Sequence, residues 1–129
     1  MKQMMIVAVA LVTGCITPSS GAEAQIAANI SSYTQYGWIG GAANGGSSGQ
    51  ATYFPIIAAD VSGNDVAIAY AWQSGVLTGT IVGNDIVGTW TQSNGHGPQT
   101  LTFDDDGQFI SGWWADSNSG EHAPAFLLQ

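Results

Sequence analysis

Hydrophobic and polar residues alternate with a period of two along most of the chain after Tyr33. Turn-forming residues break the alternation at short intervals. A period of two sends successive side chains to opposite faces of a strand, so each run reads as a strand buried on one side. Eight runs are predicted, near Gly37–Ala42, Ala51–Ala59, Asp65–Gln73, Val76–Val82, Asp85–Gln92, Gln99–Phe103, Gln108–Ala115 and Ala123–Leu128. Pro55 lies inside the second, which predicts an edge or a bulge there. The connections are too short for crossover helices, so consecutive strands should pair antiparallel. The expected fold class is all-β: an antiparallel meander closed into a small up-and-down barrel, with a β-sandwich as the alternative.

Two features refine this picture. Val66, Ile68, Tyr70 and Trp72 share one face of the third run, and Ala67, Ala69 and Ala71 share the other. A strand apolar on both faces is expected to be central and covered on both, by a second sheet, the N-terminal segment or a partner subunit. There is also an internal repeat. Ser62–Trp72 (SGNDVAIAYAW) echoes Val82–Trp90 (VGNDIVGTW), and an aliphatic-x-Gly-x-large unit recurs at Leu77–Ile81, Ile86–Trp90 and Ile110–Trp114. A mid-strand glycine leaves room for a neighbouring side chain or a sharp bend.

The segment GTWTQSNGHGPQTLTFDDDGQFISGWW, Gly88–Trp114, resembles a pattern of small exported bacterial β-domains: G-x-W, a loop, an alternating strand, an Asp-Gly turn and a second G-x-W. It is also loosely similar to the G-T-W strands of avidin- and lipocalin-type barrels, although no biotin-site set accompanies it. The resemblance implies an antiparallel β-domain.

Lys2 precedes an apolar run from Met4 to Val12, the layout of an export signal. The run ends in Val12-Thr13-Gly14-Cys15, which resembles the bacterial lipobox. That resemblance implies lipidation of Cys15, with residues 1–14 removed as a signal peptide. Ile16 after the cysteine resembles the outer-membrane sorting pattern. Residues 15–32 then form a lipid-anchored flexible tether, and residues 33–129 the β-domain. The 17 residues after Cys15 would span about 20–25 Å. Gln25–Ile30 is read as one short helical turn, with Ile26 and Ile30 at i, i+4. The alternative is cleavage after Ala22-Glu23-Ala24, which would leave a secreted or periplasmic soluble domain. Cys15 is the single cysteine, so no disulfide supports the fold.

Charge narrows the partners. The chain holds nine Asp and Glu against one Lys or Arg, and that one, Lys2, lies in the signal-like segment. Nucleic-acid binding needs cations to displace phosphate counterions, so nucleic acid is not expected as a partner.

Two groups of residues are candidates for chemistry. A threonine ladder comes first. With a Gly83-Asn84 turn, Thr78 should face Thr89. With a turn over Asn94–Pro98, Thr89 should face Thr102, and Thr91 should face Thr100. Phe109 and Ser111 should then lie beside Thr102 and Thr100. One face would present Thr78, Thr80, Thr89, Thr91, Thr100, Thr102, Phe109, Ser111 and Trp113. The opposite face, with Leu77, Ile81, Ile86, Trp90, Leu101, Phe103, Ile110 and Trp114, would form the core. The hydroxyl face reads either as solvated strand surface or as a platform for a carbohydrate or a small amphiphilic ligand. The second group is two similar loops, NGHGP and GEHAP. His96, Asp116, Glu121 and His122 are expected at one end of the sheet, where imidazoles and carboxylates suit a divalent metal. Asp104–Asp106 reads as a hairpin turn, since the further ligands of an EF-hand loop are missing.

No nucleophile elbow or cysteine nucleophile stands out. The expected function is a non-catalytic, cell-envelope binding or structural module held at the outer membrane or cell surface, without a cofactor. The alternatives are a metal-dependent hydrolase using His96 and His122, or a subunit of a surface assembly.

Overall fold

The computed structural model describes residues 21–40 and 50–129. The lipobox-like segment with Cys15, and Ala42, lie outside the described residues. The chain runs through a helix α1 (Gly21–Asn29), a 3₁₀ turn (Ile30–Ser32), and strands β1 (Gln35–Ile39), β2 (Ala51–Ser62), β3 (Asp65–Tyr70), β4 (Gly75–Val82), β5 (Asp85–Gln92), β6 (Gly95–Phe103), β7 (Phe109–Ala115) and β8 (His122–Leu128). Each strand pairs antiparallel with its sequence neighbours, and β8 returns to β1, so the sheet is a closed up-and-down barrel.

Of the residues expected inside, Val66, Ile68, Tyr70, Leu77, Ile81, Ile86, Trp90, Leu101, Phe103 and Trp114 are buried, in one cluster with Tyr36, Trp38, Ala125 and Leu127. An eight-stranded barrel is just wide enough for side chains to fill it. Aromatic rings do much of this filling. Tyr36 packs on Tyr70 at 4.8 Å between centroids, Trp38 on Phe54 at 5.3 Å, and Trp90 meets Trp114 edge-on at 5.7 Å. Burial raises the hydroxyl pKa of Tyr36 well above its ordinary value, and neighbouring Tyr70 adds to the effect. Burial raises that of Tyr70 too; its hydroxyl donates to Gln92 Oε1 at 2.6 Å.

The internal repeat has a structural cause. Gly63-Asn64 and Gly83-Asn84 form two-residue hairpin turns whose first residue has φ +62°, a conformation suited to glycine. Each asparagine then braces the strand beyond its own hairpin. Asn64 Nδ2 donates to the Ile81 carbonyl at 3.1 Å, and the Ile81 N–H returns a bond to the Asn64 carbonyl at 2.7 Å. Asn84 makes the same pair with Phe103, at 3.0 and 2.8 Å. The following aspartates complete the motif: Asp65 accepts from Thr80 at 3.5 Å, and Asp85 accepts from Thr102 at 2.7 Å. The repeat is thus a repeated clamp across three strands.

Several expectations are corrected. Residues 21–32, expected to be flexible, are helical, and Ile26 and Ile30 are 0 % and 1 % exposed against the barrel core. Glu23 accepts from the Gly83 N–H at 2.8 Å and from Asn64 Nδ2 at 3.3 Å. Asn29 Nδ2 donates to the Asp106 carbonyl, and the Tyr33 hydroxyl donates to the Gly107 carbonyl. The helix therefore caps one barrel end and is tied to three hairpin turns. Ala67 and Ala69 lie half-buried on the outer face, and among the described residues no second sheet covers them. Pro55 behaves as expected: the β2–β3 register shifts between Ile56 and Ala58, and Ile57 is 69 % exposed.

If α1 closes the barrel, Ile26→Ala should lower the unfolding free energy by about 2–4 kcal/mol in urea titration, the cost of truncating a buried aliphatic residue. A change within about 0.5 kcal/mol, the scale of an exposed surface substitution, would show that the helix does not pack there.

Candidate functional site

The expected hydroxyl face is built, but on a different register. Thr78 faces Thr89, and their hydroxyl oxygens lie 3.2 Å apart. Beyond β5 the pairing is shifted. The turn is Ser93-Asn94 rather than Asn94–Pro98, so Thr89 faces Pro98, Thr91 faces His96, Val87 faces Thr100 and Asp85 faces Thr102. Gly95 and Gly97 belong to β6 because other groups occupy the space of their missing side chains. A Cβ at Gly97 would lie 1.8 Å from the Ala115 carbonyl oxygen, and one at Gly95 would lie 3.1 Å from the Trp90 ring. Trp90 crosses this gap and donates from Nε1 to the Ala115 carbonyl at 2.7 Å.

The shift is even, so Thr78, Thr89, Thr91, Thr100 and Thr102 stay on the outer face, with Trp113. Phe109 does not. The β6–β7 register slips between Thr102 and Phe103, which reverses the facing of the residues before the bulge. Phe109 turns inward and meets Phe103 edge-on at 5.8 Å. Ile110, expected in the core, is 61 % exposed.

Thr80, Val87, Thr100, Trp113 and Pro124 form one row of facing pairs across five strands. From Thr80 to Trp113 this row spans about 14 Å at ordinary strand spacing. One end of the row opens into a shallow groove of about 600 Å³. Its hydroxyls come from Ser62, Thr78, Thr80 and Thr89, its carboxylates from Asp60 and Asp65, and its apolar surface includes Ala67 and Val87. Thr91, Thr100, Thr102 and Trp113 lie outside this groove. Asp60, Ser62, Asp65 and Val87 were missed as site residues; the matched GND turns, which align Asp65 with Asp85, were the available signal.

The two histidine loops do share one end of the barrel. The Ser117 N–H donates to the His96 carbonyl at 3.0 Å. The side chains have other roles there. Asp116 Oδ1 accepts from the Asn118 and Ser119 N–H groups, shaping its own turn. The His122 ring stacks on Trp113 at 4.8 Å with the planes 21° apart. Glu121 is near Gly40, where an added Cβ would meet its carboxylate. Among the described residues, no three His, Cys, Asp or Glu side chains are grouped to hold a metal ion. Asp104 is likewise a turn former, accepting from the Asp106 and Gln108 N–H groups.

The outer face is mixed: Asp60, Asp65, Asp85 and the threonines face out beside exposed Ile57, Val82, Val87 and Ile110, while Tyr36, Trp38, Tyr70, Trp90, Phe103 and Trp114 face in. No helix among the described residues is long and apolar enough to cross a membrane. No protein-family model, curated protein or solved structure matches this chain.

Gln99 places an amide inside the barrel: it is 1 % exposed, and among the described residues neither atom of its amide meets a hydrogen-bond partner. A buried polar group left unpaired costs about 1–3 kcal/mol. Gln99→Leu, close in volume, should therefore raise the unfolding free energy by about 1–2 kcal/mol in urea and thermal denaturation. Destabilisation by a similar amount would mean that the amide is satisfied in solution.

Proposed function

We propose that the protein is a non-catalytic binding module of the cell envelope, anchored through Cys15, that takes a carbohydrate or a similar small amphiphilic ligand on its outer sheet face. The observation that carries this reading is the groove over β2–β5, which joins exposed hydroxyls to an apolar floor. Binding sites are typically concave and apolar with a few placed polar groups. The row through Thr100 to Trp113 extends the surface toward an indole that can cover a sugar ring. The packed barrel interior favours an outer site over an enclosed one.

The anchor reading gains support from α1. Cleavage after Ala24 would remove Glu23, and with it the carboxylate that holds the Gly83 turn and Asn64. Lipidation at Cys15 would leave that clamp whole. Only five residues separate Cys15 from Gly21. Their covalent reach is at most about 20 Å, so the helix-capped end would stay near the membrane.

The binding reading is tested by a glycan-array screen with surface-plasmon follow-up. Thr89→Lys, which fills the groove, should weaken the best ligand at least tenfold, and Trp113→Ala should weaken longer ligands more than short ones. Unchanged binding by both folded variants would overturn it. The anchor has its own test in cells fed labelled palmitate. The parent chain should take up label and Cys15→Ala should not; equal labelling would rule the anchor out.

A further inference from the structure

The groove over β2–β5 carries charge that no cationic side chain among the described residues balances. Asp60 faces Ala67 across the β2–β3 pair, and the alanine methyl cannot donate to its carboxylate. Asp65 faces Ser62 on the same outer face. The two aspartates are diagonal neighbours, a relation that sets residues about 7–8 Å apart. Asp65 also accepts from the Thr80 hydroxyl, which fixes its carboxyl at the groove edge. The described residues contain no Lys or Arg at all. Proteins normally intersperse both signs on their surfaces, and here no described side chain supplies a cation to this groove.

A metal ion fits poorly here. Calcium and magnesium take six or more oxygens at short range and zinc about four ligands, whereas these carboxylates are separated by about two residue spacings. An organic cation suits the spacing better, because one ammonium can approach each carboxylate while its carbon frame rests on Ala67 and Val87. Ser62, Thr78, Thr80 and Thr89 add hydroxyls that can donate to and accept from ring hydroxyls. We infer that the groove selects amino-sugar units bearing free ammonium groups over neutral or N-acylated sugars, with Asp60 and Asp65 as the selecting residues. This rests on the carbohydrate reading above and adds a charge preference to it.

The test is isothermal titration of the intact protein with glucosamine oligomers, with their N-acetylated counterparts and with spermidine. The buffer is held at about pH 5.5, where amines are protonated. An exposed ion pair is worth about 1.4- to fivefold in binding. Two such pairs should therefore make the free-amine oligomer bind about two- to twenty-fivefold more tightly than the acetylated one. The preference should collapse in about 1 M salt, where screening acts within about 3 Å. It should also vanish in Asp60→Asn/Asp65→Asn, in which an amide oxygen can still accept from Thr80. Circular dichroism would confirm that this variant is folded. Equal binding of both oligomers, or a preference that survives in the variant, overturns the inference and leaves the carbohydrate reading standing. Spermidine binding as tight as the amino sugar overturns it as well, by showing that charge alone is read. If no sugar binds at all, both fail together.

Discussion

The whole architecture depends on the pairing of β1 with β8. Seven of the eight contacts around the barrel are hairpins between sequence neighbours, which form locally. The eighth joins chain segments about ninety residues apart, through Gln35↔Leu128, Tyr36↔Leu127, Gly37↔Phe126 and Trp38↔Ala125. Without it the sheet has two open edges, each a row of unpaired backbone groups. The interior would also lose its lid, because Tyr36 and Trp38 are the inward residues of β1. Their contacts with Tyr70 and Phe54 link the closing strand to β2 and β3. The Thr34 N–H donates to the Leu128 carbonyl just before this pairing begins, and the Thr34 carbonyl accepts from Ile56. The helix cap therefore leads directly into the strand that closes the barrel.

What could be read in the sequence follows from parity. A one-residue slip reverses every side chain of a strand, while an even shift reverses none. The β5–β6 pairing differed from expectation by an even number, so the outer threonines kept their face even though their partners changed. The β6–β7 bulge is odd, and it moved Phe109 in and Ile110 out. Nothing in FDDDGQFIS distinguishes a bulge from a longer turn, because aspartate and glycine serve both. Gly95 and Gly97 misled for a related reason. Glycine marks turns, but it also marks places where another group comes close. Here the Trp90 ring and the Ala115 carbonyl take that space, and only the three-dimensional arrangement of β5, β6 and β7 shows it.

The N-terminal helix shows a different limit. Together with the 3₁₀ turn it reads GAEAQIAANISS, rich in alanine and polar residues like a linker, with only two isoleucines. A hydrophobic stripe is the usual mark of a packed helix, and two residues scarcely make one. A barrel end presents only a small apolar opening, however. Ile26 and Ile30 are enough to cover it when Glu23, Asn29 and Tyr33 supply bonds to the surrounding turns. The i, i+4 spacing was visible in the sequence. Its meaning depended on a closed sheet with an unfilled end.

These two facts, a side-chain-filled barrel and a capped end, bear on where recognition can occur. A barrel packed with Trp, Tyr and Leu side chains gives a ligand no room without rearranging its core, and cores resist such change. A ligand would then meet the outer wall, where strand alternation sets hydroxyls and carboxylates beside exposed Ile57, Val82, Val87 and Ile110. The wall's carboxylates stand where the GND clamp repeats: Asp65 and Asp85 each accept from a threonine on the next strand. The clamp that fixes strand order thus also fixes part of the outer charge pattern. Of the two clamp aspartates only Asp65 lines the groove, and the difference is set by its neighbour. Asp65 has β2 and Asp60 beside it, whereas Asp85 is flanked by Val82 and Thr102. One structural motif, used twice, yields a candidate site only where the long second strand curls past it.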